Sequence, residues 1–405
     1  MSHVALVLPG FAQMGGAERQ VLLLARGLRE RGWRVTVVAL SGTAVGATRE
    51  LAAAGVEFLS LGMRKGLADP RGWIRFNRWL RRERPEVVHG HMPHAAWLAR
   101  WSRPWAPVRV VLDTIHTSST GATGRWIGYR LSDWLPDRVT AVSRAAADSY
   151  RAAGMVAAER LTVLPNGVDV EAWRPDAAVR NDVRRELGLR EEFLWLATGR
   201  LEPVKDYPTL LRAMVDLPAS ARLVVAGAGW LESELRGLMM QLGLEQRVRF
   251  LGFEPNVGRW MQAADGFVLS SRWEGLSMGL LEAAACGLPA VATDVPGTAE
   301  ALADGVTGWL VPPADPVALK GTMARLMGSS LEERAAMGKK ARERTTAQFS
   351  LKQVLDRWQA LYAELLERNP VPRRWSVTER VTSVGAEPPF PCGERKVHTE
   401  RDLRE

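Results

Sequence analysis

Phe193-Leu-Trp-Leu-Ala-Thr198 is an unbroken apolar run that ends at Gly199-Arg200 and is followed by a helix capped by Asp206. A short apolar run closed by glycine and followed by a helix is how a buried parallel strand feeds a βα unit. Downstream, Arg222–Ala226 repeats the pattern, with Gly227–Gly229 and a helix over Leu231–Leu242 behind it. Val248–Phe250, Gly266–Leu269 and Ala290–Thr293 read as further strands. Upstream lies an earlier set. Val4–Leu8 ends at Pro9-Gly10, Gly15-Gly16 follow, and Ala17–Arg29 has helical periodicity. Val35–Leu40, a helix near Arg49–Ala54, Val56–Leu59, a helix over Arg71–Arg84, Val87–His89, Val108–Asp113 and Arg138–Val142 continue the alternation.

The alternation therefore runs twice. The predicted class is α/β, with two doubly wound, Rossmann-like parallel-sheet domains facing a central cleft, because open sheets bind ligands at their carboxyl ends. Turn residues crowd the seam, Pro165-Asn166-Gly167 and Arg174-Pro175-Asp176. The expected divisions are 1–172, 173–350, a last helix at 351–369, and an aperiodic tail, 370–405, expected to be disordered.

The 405 residues include 54 Lys and Arg against 45 Asp and Glu, with 46% apolar and 24% charged residues. That composition excludes a fibre and wholesale disorder. No apolar stretch approaches the ~18 residues of a spanning helix, and no basic segment precedes the first apolar run, so no signal peptide is expected. Cys286 and Cys392 stand alone, without metal or redox spacing, which points to a reducing cytoplasm. The charge is uneven. Residues 1–170 hold 23 basic and 13 acidic side chains, so the whole excess of +9 lies in the first half. One lobe therefore faces an anionic partner. Nucleic acid is not expected, since no helix-turn-helix, zinc-finger, RNP or KH pattern is present.

The most informative chemistry follows Gly266–Leu269, in Arg272-Trp-Glu274-Gly-Leu-Ser-Met-Gly-Leu-Leu-Glu282. Ser277 suits an N-cap, so the N–H groups of Met278, Gly279 and Leu280 would meet an anion in the cleft. Along a helix, eight residues rise ~12 Å, beyond the ~5–9.5 Å of a glycosidase carboxylate pair. Glu274 and Glu282 therefore do not ask for a hydrolase. Arg200 and Lys205, directly after a strand, pair a donor fork with a point charge and suit a diphosphate. Gly15-Gly16 permit close backbone approach to a phosphate but fit neither dinucleotide nor Walker spacing. His89, His91, His94 and His116 are read as polar cleft lining rather than zinc ligands, because no Cys or carboxylate completes a set.

Together these residues resemble the family-4 retaining glycosyltransferases of the GT-B fold. The matching segments are Gly15-Gly-Ala-Glu18, His89-Gly-His91, His116, Ala141-Val-Ser143, Pro165-Asn-Gly-Val-Asp169, Gly199-Arg200 through Lys205-Asp206, Phe250-Leu-Gly-Phe253, Glu274 to Glu282, and Gly308-Trp-Leu-Val-Pro312. The resemblance implies a GT-B enzyme with an N-terminal acceptor lobe, a C-terminal nucleotide-sugar lobe, and a last helix crossing back to the first. It implies that Arg200 and Lys205 neutralise the donor diphosphate, Glu282 holds the ribose, Glu274 contacts sugar hydroxyls and His116 lies beside the donor sugar. Gly16 approaches the phosphate from the opposite lobe, the segment near Phe253 holds the base, and Gly199, Ser277, Met278, Gly279 and Leu280 complete the donor site. Glu18, His91 and His94 fall on the acceptor side. No metal and no cofactor are expected. The partners expected are a nucleotide-sugar and a saccharide or polyprenyl-linked acceptor, in polysaccharide or glycolipid assembly.

The acceptor lobe carries the positive charge. Eight basic and two acidic residues lie between Arg64 and Arg84, and in a helix Arg71, Arg75, Arg78 and Arg82 share one face. Trp73, Phe76 and Leu80 share another, and seven of the sixteen tryptophans lie between Trp73 and Trp134. A basic amphipathic helix with aromatics reads as binding to an anionic membrane surface. The expectation is a cytoplasmic enzyme, peripheral on the inner membrane face. Competing readings are a nucleotide-sugar epimerase of the same architecture and a catalytically silent nucleotide-sugar-binding scaffold.

Overall fold

The computed structural model describes residues 1–11, 15–42, 45–64, 69–121 and 123–370. Of the expected tail, everything after Pro370 lies outside the described residues. The first lobe runs β1 (His3–Leu8), α1 (Gly16–Glu30), β2 (Arg34–Ala39), α2 (Val45–Ala53), β3 (Glu57–Ser60), α3 (Pro70–Glu83), β4 (Val87–His91), α4 (Pro93–Ser102), β5 (Val110–Ile115), α5 (Thr123–Ser132), β6 (Arg138–Ala141), α6 (Arg144–Ala152) and β7 (Leu161–Val163). The second runs α7 (Ala177–Glu186), β8 (Phe193–Thr198), α8 (Tyr207–Val215), β9 (Ala221–Ala226), α9 (Glu232–Gln241), β10 (Val248–Gly252), α10 (Val257–Ala263), β11 (Gly266–Leu269), α11 (Met278–Ala285), β12 (Ala290–Thr293), α12 (Thr298–Ala301), β13 (Gly308–Val311) and α13 (Pro316–Gly328). α14 (Leu331–Phe349) and α15 (Leu351–Arg368) close the described chain.

Both sheets are parallel, in the orders β3-β2-β1-β4-β5-β6-β7 and β10-β9-β8-β11-β12-β13. A parallel sheet covered on both faces needs strands that are apolar throughout. In β1, Val4, Leu6 and Leu8 pack toward α1, α2 and α15, while Ala5 and Val7 pack toward α3 and α4. In β8, Leu194 and Leu196 enter one core and Phe193, Trp195 and Ala197 the other. The strand order reverses between β1 and β4 and between β8 and β11. These are the two switch points where such sheets leave a crevice.

α4, α5, α6 and β7 in the first lobe, and α7, α10, α12, β13, α13 and α14 after it, are additions to the elements read from the sequence. The short β7 is half exposed, so it lacks the apolar run that marks a central strand. Asp206 is a correction: it sits at φ 46° in the left-handed region and makes no side-chain cap. Its buried carboxylate instead accepts from Thr209 Oγ1 at 2.9 Å and pairs with Arg272 at 3.2 Å.

The chain passes between lobes twice, and the two passages pair. Val168 N–H donates to Phe349 O and Leu351 N–H to Val168 O, both at 2.8 Å. Ser350 separates α14 from α15, and α15 buries Val354, Leu355, Trp358, Leu361, Tyr362 and Leu365 in the core of the first lobe. Among the described residues no helix is long and apolar enough to cross a membrane.

Candidate active site

The chemistry-bearing segments stand at the carboxyl ends of the four strands that flank the two switch points. Gly15-Gly16 follow β1 and His91 ends β4; Gly199-Arg200 follow β8 and Glu274 follows β11. Sheet topology thus gathers pieces that lie up to 260 residues apart in the chain.

The second lobe supplies the larger part. Lys205 Nζ lies 2.5 Å from Glu274 Oε1, and Ser271 Oγ donates to the same oxygen at 2.7 Å. Both contacts fall on one carboxylate oxygen. Gly199 makes this possible, because a Cβ there would stand 2.9 Å from Lys205 Cε. The buried Tyr207 hydroxyl donates to Gly199 O at 3.0 Å and fixes that turn. Arg200 is half exposed and pairs with Glu202 at 3.0 Å. Ser277 caps α11, its hydroxyl accepting from Leu280 N–H. Leu280 is therefore taken, and Met278 and Gly279 begin the helix with the N–H groups that a first turn leaves open. α11 seats on β8 through Gly279, where a Cβ would collide with Thr198 Oγ1.

The first lobe closes on this surface. A Cβ on Gly16 would reach Met278 Cγ at 3.3 Å, and one on Gly15 would lie 3.9 Å from Arg200 Nε. Glu18 turns back to accept from Gly15 N–H at 3.1 Å, holding the glycine turn at the start of α1. Burial raises the Glu18 carboxyl, while nearby Arg200 lowers it. The loop after β5 meets the loop after β11. Ser118 Oγ donates to Glu274 O at 2.7 Å, and a Cβ on Gly275 would collide with the His116 carbonyl oxygen.

Glu282 is the most perturbed carboxyl of the cleft. Burial pushes it up to about 7, against the attraction of Arg19, whose Nε lies 3.3 Å away from the other lobe. Arg19 also stands over the Trp173 ring, 5.3 Å from its centroid. Beneath the cleft, His116 Nε2 lies 3.1 Å from His91 Nδ1, and His89 bridges Tyr362 Oη at 2.8 Å and Thr114 Oγ1 at 2.6 Å. Burial lowers His116 to about 4 and holds His89 and His91 well below the ordinary imidazole range. The cluster is neutral at pH 7. His91 Nε2 is buried without a partner, and His91 lines a cavity of about 20 Å³. That is room for one water. Met92, at φ 67° and ψ 158°, makes the strained turn from β4 into α4.

The structure thus brings together Gly15, Gly16, Glu18, His116, Gly199, Arg200, Lys205, Glu274, Ser277, Met278, Gly279, Leu280 and Glu282. Phe253, 68% exposed, stands beyond the end of β10 next to the Gly227–Gly229 loop. His91 lies behind His116, and His94 is exposed in the first turn of α4. Several cross-lobe residues were not singled out from the sequence. Gln20 exchanges two hydrogen bonds with Gly167 and donates to Met278 Sδ at 3.0 Å. Asn166 Nδ2 donates to Leu276 O at 3.3 Å. Glu300 accepts from the N–H groups of Arg144 and Ala145 at the start of α6. Gln20 and Arg19 follow Gly16 within one helical turn, and that spacing is the signal that could have found them. Among the described residues, no group of three or more His, Cys, Asp or Glu could hold a metal ion.

Two family models match the chain in succession: Glycosyltransferase Family 4 over residues 14–172 and Glycosyl transferases group 1 over 179–344. A UDP-Gal:alpha-D-GlcNAc-diphosphoundecaprenol alpha-1,3-galactosyltransferase of Escherichia coli is 25% identical over 316 residues, covering 74% of this chain and 81% of the relative. A D-inositol 3-phosphate glycosyltransferase of Xylanimonas cellulosilytica is 28% identical over 406 residues, covering 89% of this chain and 94% of the relative. Among solved structures, Anabaena HepE in complex with UDP and glucose superposes with a TM-score of 0.80 at 21% identity, covering 89% of this chain and 99% of that one. Sucrose-phosphate synthase of Thermosynechococcus elongatus does so with 0.79 at 21% identity, covering 91% and 100%. With both lobes matched in order and the chemistry gathered between them, the chain belongs to the family-4 glycosyltransferases of the GT-B fold.

Proposed function

We propose that the enzyme is a retaining glycosyltransferase that moves a sugar from a nucleotide-sugar donor to a saccharide or lipid-linked saccharide, without a metal ion, in cell-surface polysaccharide or glycolipid assembly. The observation that carries this reading is that Arg200 and the open first turn of α11 face Gly15-Gly16 across the cleft, with Lys205 packed on Gly199 beside Arg200. Cleaving the bond from the anomeric carbon to a nucleoside diphosphate leaves negative charge on the departing phosphate. Fixed cations and helix N–H groups stabilise that charge as it develops.

Lys205 shares Glu274 Oε1 with Ser271, so Glu274 keeps its second oxygen for a sugar hydroxyl while its first orients the ammonium. Glu282 accepts from the ribose. His116, neutral at pH 7, offers a hydrogen bond beside the sugar and no positive charge. Gln20, Asn166 and Ser118 hold the lobes together and exclude water that would hydrolyse the donor. The E. coli relative's name contains a diphosphoundecaprenol acceptor, which supports a lipid-linked acceptor here. The excess positive charge of residues 1–170 supports an enzyme that works in the cytoplasm, peripheral on an anionic membrane through its basic N-terminal lobe. Nucleic acid is not a partner in this reading. The epimerase and the silent scaffold are not favoured, because the matched families and the named relatives are glycosyltransferases.

The test is a thermal-shift panel of UDP-, GDP-, ADP- and dTDP-sugars with and without chelator, since a bound donor raises apparent stability. It is paired with transfer assays of Arg200→Ala and Lys205→Ala. A shift with one nucleotide class that chelator leaves unchanged, with transfer reduced about 10²–10³-fold in both variants, is expected. Near wild-type turnover in either variant refutes the assignment.

A further inference from the structure

The tryptophan-rich segment has no role in the cleft, and the structure shows where it goes. Core packing puts α1, α2 and α15 on one side of the first sheet and α3 to α6 on the other. Large exposed apolar side chains gather on and just after α4 and α5, beside α3. Trp101, Trp105, Trp126, Ile127, Leu131 and Trp134 are between 38% and 64% exposed. The indoles are held rather than free. Trp126 and Trp134 donate their N–H groups to Ala153 O and Leu131 O, and Trp105 stands edge-on to Trp73 at 5.6 Å. The indole N–H groups of Trp126 and Trp134 are thus satisfied inside the protein while their rings stay partly exposed. A contiguous exposed aromatic face marks an interaction surface.

Charge selects the partner. Arg78, Arg81, Arg82 and Arg130 are exposed on the same helices. The carboxylates of this flank are already engaged. Asp113 is the only acidic residue between 87 and 132, and it is buried against Arg100. Asp69 caps α3, Glu83 pairs with Arg34 and Arg82, and Asp137 pairs with Arg103. Of the four arginines read from the sequence as one face, Arg75 is tied to Leu61 O. The basic helix thus supplies charge, and the apolar contact comes from its neighbours.

We infer that the outer face of α3, α4 and α5 docks on an anionic lipid bilayer, with the tryptophans at headgroup level and the arginines beside lipid phosphates. Amphipathic rings interleaved with arginines suit that boundary. The inference deepens the peripheral reading above and rests on it. α4 begins directly after β4, at the cleft end of the sheet, and runs away from it, so Trp101 and Trp105 lie at the end of α4 far from the cleft and exposed His94 at the near end.

The experiment is sedimentation with vesicles of equal parts phosphatidylglycerol and phosphatidylethanolamine, against phosphatidylcholine vesicles, at low and high salt. Intrinsic fluorescence with brominated lipid is read in parallel. The full chain, the triple variant Trp101→Ser/Trp105→Ser/Trp134→Ser, and Arg78→Gln/Arg82→Gln are compared. Unchanged stabilisation by UDP shows that each variant is folded. The wild type is expected to bind the anionic vesicles, with its tryptophans quenched by bromine. The triple variant is expected to lose at least about tenfold in partitioning, as removal of apolar contact implies. Wild-type binding that the tryptophan variant retains and the arginine variant loses would overturn this face and leave the peripheral reading standing. No wild-type binding at low salt would overturn both. A wild-type dimer that ignores vesicles and that the tryptophan variant dissociates would assign the face to self-association instead.

Discussion

Glu282→Gln should make the enzyme more stable, and by an amount that depends on pH in a known direction. The wild-type carboxyl is buried on α11 and titrates at about 7 instead of its ordinary 4.5. At 1.36 kcal/mol per pH unit, that difference is about 3 kcal/mol. A carboxyl raised in the folded state binds its proton more tightly there. Its contribution is whole below about pH 4.5 and is lost as pH rises through 7. Glutamine stays neutral throughout. The variant should match the wild type near pH 5 and exceed it by about 3 kcal/mol near pH 8, roughly 6–12 °C in the melting of a lobe this size. Thermal unfolding of both proteins from pH 5 to 8.5 measures this. The groups facing Glu282 are Arg19 from the other lobe and, one turn on, Cys286. Cys286 is pushed up to about 12 by burial and does not titrate in this range; Arg342, which lowers it, stays charged. A stability gap that is constant from pH 5 to 8, or that narrows as pH rises, would refute the reasoning. Arg19→Gln supplies a second check, since loss of the one attractive charge should move the wild-type loss to higher pH.

Gly275→Ala should force the His116 and Glu274 loops apart, because its Cβ meets a backbone carbonyl. Transfer should fall at least about tenfold, the cost of a small misplacement in a positioned site, with a larger radius of gyration in solution scattering. Arg100→Ala leaves Asp113 buried and uncompensated, since the pair is bidentate at 2.9 and 3.1 Å with both side chains fully buried. It should cost about 3–5 kcal/mol in urea unfolding, and Arg100→Met with Asp113→Leu should recover most of that. The histidine cluster acts opposite to Glu282: a lowered imidazole holds stability above pH 6.5 that is lost as pH falls through about 4. His116→Gln should flatten that acid-side loss in the same melts.

The sequence by itself determined the two sheets, because each central strand must be apolar on both faces and is therefore continuous in sequence. β8, β11 and β12 are read to the residue, and most other central strands to within two. It also singled out the short segments that the fold gathers at the cleft. Arg200, Lys205 and Glu274 lie within a turn or two of a strand end and Glu282 within two turns of the start of α11, where local spacing is the whole signal. What it did not show was what those groups do to one another. Asp206 reads as a cap and is a buried carboxylate tied to Thr209 and Arg272. Arg19 and Gln20 look like ordinary helix residues until the lobes close. Glu282 acquires its shifted proton affinity only from burial beneath an arginine 263 positions away in the chain. Likewise, the seven tryptophans between Trp73 and Trp134 read alike, and only packing of α3, α4 and α5 sorts buried Trp79 from the rings left facing outward. Strands are written in local hydrophobic pattern. Contacts across a cleft, and which side of a helix finds a neighbour, depend on long-range docking that no local window contains.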